Sequence, residues 1–129
     1  MQFSVGELFD ILLAGEVTLT YKPWGSERTV ATEHFLLKLI DVHAGERTSL
    51  QHHVRKYEIH WIMGGDGTIE GTPDDDLFRP RPSGAYPVYP GTVHRAVGPL
   101  TILEISTNHP DDVVRHEDDY GRSATDGGE

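Results

Sequence analysis

Cysteine is absent from this chain of 129 residues. Disulfides, thiol nucleophiles and thiolate metal sites are therefore excluded together. Positive charge is scarce as well: Lys and Arg total 11 against 21 Asp and Glu, a formal net charge of -10 at pH 7. That balance argues against nucleic acid or an anionic membrane as the main partner, yet leaves room for a small phosphate ligand that needs only a few local cations. No apolar run approaches the roughly 18 residues of a membrane-spanning helix. No basic start leads into an apolar stretch either, so the cytoplasm is the expected compartment. What remains is one domain's worth of chain, long enough to bury about two thirds of the surface it exposes when unfolded.

Residues 1–17 read as a short helical segment. Ser4 and Glu7 form a capping box, Leu8, Phe9, Ile11, Leu12 and Leu13 a helical stripe, and Gly15 a stop. Its expected role is to seal the core or to contact a second copy. From Thr18 the pattern changes to strands. Pro23-Trp24-Gly25 reads as a turn whose indole either packs or stacks on a substrate. Lys38 interrupts the apolar run from Phe35 to Ile40 and shares a face with Leu36 and Ile40. It is either an edge residue whose amine reaches solvent or a buried cation that works on a ligand. Gly64-Gly65-Asp66-Gly67 carries hairpin chemistry, and residues 72–83 read as a surface loop. Residues 85–89 and 100–107 read as strands, the second with Ile102, Glu104 and Ser106 on one face. Short strands punctuated by Gly and Pro point to an all-β barrel.

The stretch from Gly45 to Gly65 holds the chemistry. Gln51 and His53 stand two apart and so point to one face of a strand, while His52 points to the other. Glu58 follows five residues later, and His94 lies beyond a loop. Two imidazoles, a carboxylate and an amide oxygen suit one borderline or hard divalent ion, namely zinc, manganese, iron, cobalt or nickel, and leave positions for water or substrate. His60 shares the face of Glu58 and is a candidate for moving protons.

The spacing of Gly45, Gln51-x-His53, Glu58 and Gly65 resembles the first cupin motif, with glutamine in place of its leading histidine. Gly84, Pro90, Gly91 and His94 resemble the second, with the proline one place closer to the glycine. Lys22-Pro23-Trp24-Gly25-Ser26-Glu27, Ser49-Leu50-Gln51 and the run from Asp112 to Arg122 narrow the resemblance to the cupin domain of type II mannose-6-phosphate isomerases. It covers roughly Tyr21 to Arg122. The resemblance implies an all-β fold, a cupin double-stranded β-helix (jelly-roll) barrel over residues 18–122 with a short N-terminal helix, and leaves 123–129 as a disordered polar tail. It implies aldose–ketose isomerisation of a sugar phosphate through an enediolate. His60 and Lys38 are then the proton-transfer candidates, and Arg122, Lys56 and Arg55 the phosphate candidates, with Arg115 beside Arg122. Ile59 stands where the family places its histidine directly after the glutamate. The rival readings are a metal-bearing cupin that binds a sugar or nucleotide sugar without turning it over, and a cupin epimerase or oxygenase. The expected partners are a small sugar phosphate and a second copy of the chain in a homodimer.

Overall fold

The computed structural model describes residue 6 and residues 17–71 and 85–125. The N-terminal helix and the 72–83 loop expected from sequence lie outside these described residues, as do residues 126–129 of the tail. Ten strands fill the rest: β1 (Thr18–Lys22), β2 (Gly25–Ala31), β3 (Phe35–Val42), β4 (Leu50–His52), β5 (Glu58–Gly64), β6 (Thr68–Gly71), β7 (Ala85–Val88), β8 (His94–Val97), β9 (Leu100–Thr107) and β10 (Val114–Glu117). They form a six-stranded sheet in the order β1-β2-β3-β9-β5-β7 and a four-stranded sheet in the order β10-β4-β8-β6. From β3 onward each successive strand changes sheet, which is the winding of a double-stranded β-helix. Among the described residues no helix is long and apolar enough to cross a membrane.

That winding corrects the expected hairpin at Gly64 to Gly67, because β5 and β6 lie in different sheets and do not pair. The glycines serve a crossover instead. Gly65 has a φ of +93°, and a Cβ there would lie 2.3 Å from the Pro99 carbonyl oxygen. The Gly67 amide donates to that same oxygen at 2.7 Å.

Cross-strand register explains where the core ends and the site begins. One inward row runs Leu36–Ser106–Glu58–Val88 and the next Thr29–Lys38–Glu104–His60–Tyr86. The rows beyond them, Ile40–Ile102–Ile62 and Val42–Leu100, are apolar. With Trp24, Ile69 and Ala96 these apolar residues form the buried cluster at one end of the barrel, where each large aliphatic contributes about 1.5–3 kcal/mol. Trp24 is fully buried, so the packed reading of its indole holds. Lys38 is the exception to its edge reading, for β3 is flanked by β2 and β9 and the residue is 4% exposed.

Candidate metal centre

Four strand-borne or strand-adjacent residues meet at the polar end of the barrel. Glu58 opens β5, His53 follows β4, His94 opens β8, and Gln51 lies on β4 directly across from His94. All four are at most 4% exposed. Glu58 Oε1 lies 2.9 Å from His53 Nε2 and 3.5 Å from His94 Nε2. One ligand atom from each of these three residues falls within 4.8 Å of the others.

Both histidines are oriented from behind. His53 Nδ1 donates to the Asp112 carbonyl at 2.5 Å, and His94 Nδ1 donates to the Thr92 carbonyl at 2.9 Å. A carbonyl can only accept, so each neutral ring carries its hydrogen on Nδ1 and turns the Nε2 lone pair toward Glu58. A proton on Nε2 can bridge one ring to the carboxylate oxygen, whereas a single divalent ion placed among them would serve both rings and the carboxylate at once. Ligands at the usual bond lengths around a tetrahedral ion are about 3.4 Å apart, close to the separations found here. Neither Glu58 oxygen, though fully buried, has an aligned hydrogen-bond donor. The residues therefore fit a divalent ion bound through nitrogen and oxygen. Gln51 Oε1 accepts the Ser49 hydroxyl at 2.6 Å and keeps a second lone pair for the same centre.

Beside this group stands a second one, Glu58, His60 and Glu104, which shares the Glu58 carboxylate. His60 Nε2 lies 3.2 Å from Glu104 Oε2 and 3.5 Å from Glu58 Oε1. Lys56 Nζ lies 3.2 Å from Glu58 Oε2 and 3.5 Å from Glu104 Oε1. Burial alone would push the Glu58 carboxyl up, but the Lys56 ammonium and the surrounding imidazoles hold it well below the usual carboxylate range. Burial alone would likewise lower His60; the Glu104 and Glu58 carboxylates instead push it up to about 10 in the absence of a cation. Gln51, His60 and His94 line one enclosed cavity whose other walls include Ile40, Ile69 and Ile102.

Two residues in this arrangement were not assigned from sequence. Glu104 was readable as inward-facing from its parity with Ile102 and Ser106, and an acid on that face of an apolar strand is the signal that marks it. Asp112 had no such signal. Its carboxylate accepts the amides of Val54, Arg55 and Lys56 at 2.9, 2.6 and 3.0 Å, while its carbonyl holds His53. Burial opposes its ionisation, and the three amides overcome this and keep its carboxyl low. Replacing Asp112 with alanine is expected to weaken divalent-metal binding about 10- to 100-fold by releasing the His53 loop. Competition titration against a chelating dye measures this directly, and unchanged affinity would show that the loop holds itself.

The phosphate candidates separate. Lys56 is 1% exposed and lies between two carboxylates, Glu58 and Glu104. Arg55 is exposed and borders a groove with Asp111 and Asp112, an acidic setting for an anion. Arg122 forms a two-point pair with Asp118, Nε to Oδ2 at 3.0 Å and Nη2 to Oδ1 at 2.9 Å. Its neighbours fasten the same segment to the barrel: Asp119 pairs with Arg47, Glu117 with Arg95, and the Tyr120 hydroxyl donates to Glu46. Arg115 Nη1 donates to the Ser123 carbonyl at 2.9 Å. These contacts make the 117–123 stretch a strap across the barrel, the structural alternative to its phosphate-binding reading.

Comparison with known proteins shows the family. Residues 14–118 match the family described as Mannose-6-phosphate isomerase C-terminal, a match that stops short of Tyr120-Gly121-Arg122. The chain is 38% identical over 112 residues to the alginate biosynthesis protein AlgA of Pseudomonas aeruginosa, covering 81% of this chain and 23% of that protein. It is 32% identical over 110 residues to the mannose-1-phosphate guanylyltransferase of Escherichia coli, covering 79% and 23%. The chain thus spans about a quarter of the length of these curated relatives. Among solved structures, a protein from Planctomyces limnophilus aligns with a TM-score of 0.62 at 19% identity, covering 88% of this chain and 94% of that one. A Klebsiella pneumoniae protein with a double-stranded β-helix domain aligns with a TM-score of 0.57 at 15% identity, covering 81% and 82%. These two likenesses show the fold. With the barrel described and the family match running over most of its length, the chain belongs to the mannose-6-phosphate isomerase C-terminal family.

Proposed function

We propose that this chain is a metal-dependent aldose–ketose isomerase of the cytoplasm, acting on a sugar phosphate in the manner of mannose 6-phosphate to fructose 6-phosphate. The observation that carries this reading is the convergence of His53, Glu58 and His94 beside a buried imidazole, carboxylate and ammonium chain. Such an isomerisation moves one proton between C2 and C1 while charge develops on the neighbouring oxygens. His53, Glu58 and His94, with Gln51, would hold a divalent ion, which supplies Lewis-acid stabilisation of that charge. His60 in its neutral form would take the proton from C2 and return it at C1, and Glu104 at 3.2 Å orients the ring and balances the imidazolium formed in between. Lys56 offsets the paired carboxylates, so that Glu58 and Glu104 can stay ionised side by side in a low-dielectric setting. The apolar wall of Ile40, Ile69 and Ile102 keeps bulk water from these groups. Lys38 pairs with Glu27 at 3.7 Å, one strand further from the ligands than Glu104. It is the weaker choice for proton transfer.

The test is proton–deuteron exchange at C2 of mannose 6-phosphate and fructose 6-phosphate, with and without chelator. The reading expects exchange that chelation abolishes and added metal restores. Stoichiometric metal without exchange on any hexose or pentose phosphate would replace it with the binding-module reading.

We also propose that two copies pair through the outer face of the six-stranded sheet. The outward row Leu37–Ile105–Ile59–Pro87 and, beside it, Leu103–Trp61–Ala85 contain no charged residue, the nearest charge on that face being Arg28 opposite Leu39. Phe35, Tyr57, Ile59, Met63 and Ile105 are among the exposed large hydrophobics. Those five side chains offer on the order of 500 Å² against the roughly 800 Å² a side of a standard interface. An uncharged patch can meet its own copy across a two-fold axis. Ile59→Asp is expected to convert a dimer to a monomer in light scattering; a wild-type chain that is monomeric at tens of micromolar overturns the pairing.

A further inference from the structure

Lys56 reaches the metal centre from the bend between β4 and β5. Its amide donates to Asp112 Oδ2 at 3.0 Å, which fixes the backbone just before Glu58, and its side chain is buried. The ammonium lies 3.2 Å from Glu58 Oε2 and 3.5 Å from Glu104 Oε1, while His60 Nε2 lies 3.2 Å from Glu104 Oε2. Glu58, His60 and Glu104 bring one ligand-type atom each within 4.8 Å of one another, as closely as His53, Glu58 and His94 do. Neither carboxylate and neither nitrogen of His60 has an aligned hydrogen-bond partner among the described residues, although all are buried. An ion pair that fastens a fold uses directional donors, as Arg122 does at two points on Asp118. The Lys56 ammonium is instead a compact charge set among metal-ligand atoms.

Glu58 joins the two groups through its two oxygens: Oε1 faces His53 and His94, and Oε2 faces Lys56. A carboxylate used in this way bridges the ions of a two-metal site, which stand about 3.5–4 Å apart. The second group thus has the donors of the other half of such a centre, with the ammonium among them. Charge decides which cation can stay. The first divalent ion and Lys56 together already exceed the charge of Glu58 and Glu104, and a second divalent ion would add to that excess in a low-dielectric setting. It would also take a ring lone pair of His60, which could then no longer accept a proton there.

We infer that the Lys56 ammonium is a tethered replacement for a second metal ion: it fills the cation position of Glu58, His60 and Glu104, fixes the centre at one divalent ion and keeps the His60 ring free of metal. This rests on the metal-centre reading and not on the isomerase activity. The test is equilibrium dialysis of the full chain against manganese(II), followed by metal analysis and electron paramagnetic resonance, on wild type, Lys56→Met and Lys56→Met/Glu104→Gln. All are purified with manganese present, and circular dichroism verifies folding. Wild type is expected to hold one ion per chain with the spectrum of an isolated ion, Lys56→Met to hold a second with an exchange-coupled spectrum, and the double variant to return to one. Glu104→Gln alone covers the case in which Lys56→Met does not fold. It leaves the ammonium facing Glu58 without a second carboxylate, so manganese affinity is expected to fall about 10-fold or more. A folded Lys56→Met variant that still holds one ion overturns the inference, as does unchanged affinity in Glu104→Gln or a coupled pair of ions in the wild type. These three outcomes leave the first site standing, whereas a wild-type chain that holds no manganese at saturation removes that site and the inference together.

Discussion

Replacing Glu58 with glutamine is expected to lower divalent-metal affinity by more than about 100-fold and to abolish C2 exchange, since even the outer partners of metal ligands are worth about 10- to 100-fold. Glu58 is the one residue common to both buried groups, and its Oε1 is approached by His53, His60 and His94. Glutamine preserves the volume and one carbonyl oxygen but removes the charge that a cation needs among two neutral imidazoles. The same change leaves Lys56 with Glu104 alone, so circular dichroism of the metal-free variant must accompany the titration. A folded Glu58→Gln variant that binds metal like the wild type contradicts the ligand assignment.

Lys56→Met is expected to destabilise the metal-free protein by about 3–5 kcal/mol, the loss seen when one partner of a buried ion pair is removed. Methionine keeps most of the volume, so the loss reports charge and not a cavity. Without the ammonium, two fully buried carboxylates still have the His60 ring beside them, 3.2 Å from Glu104 and 3.5 Å from Glu58. Saturating metal should then recover part of the loss, because binding to the folded state alone adds stability by mass action and places positive charge on Glu58. Urea unfolding with and without metal measures both effects. A loss under about 1 kcal/mol in the metal-free state would mean that the carboxylates are relieved some other way.

Strand parity carried much of the site, and its failures mark where parity stops applying. Glu58, His60 and Ile62 face inward because β5 is a regular strand, and the alternation that set Ile102, Glu104 and Ser106 together holds in β9 for the same reason. Lys56 lies in the bend between β4 and β5, where no alternation exists to show that its amine turns inward. Its partner Glu104 arrives from a strand paired only in three dimensions. The glycines at 64–67 announced a turn but not a destination, since positive φ serves a crossover between sheets as well as a hairpin. The run from Glu117 to Arg122 carried a family signal whose physical basis is contact with Glu46, Arg47 and Arg95, residues distant in the chain. Charge-rich sequence names neither those partners nor whether a pair fastens the fold or binds a ligand.

The most direct test of the account is X-ray absorption at the edge of the bound metal, taken on wild type and on Glu58→Gln after equal exposure to the ion. The account predicts one divalent ion per wild-type chain, ligated by nitrogen and oxygen with the multiple scattering of two imidazoles, and its loss from the variant. A wild-type chain that stays metal-free at saturating ion, or an unchanged spectrum in Glu58→Gln, would contradict it.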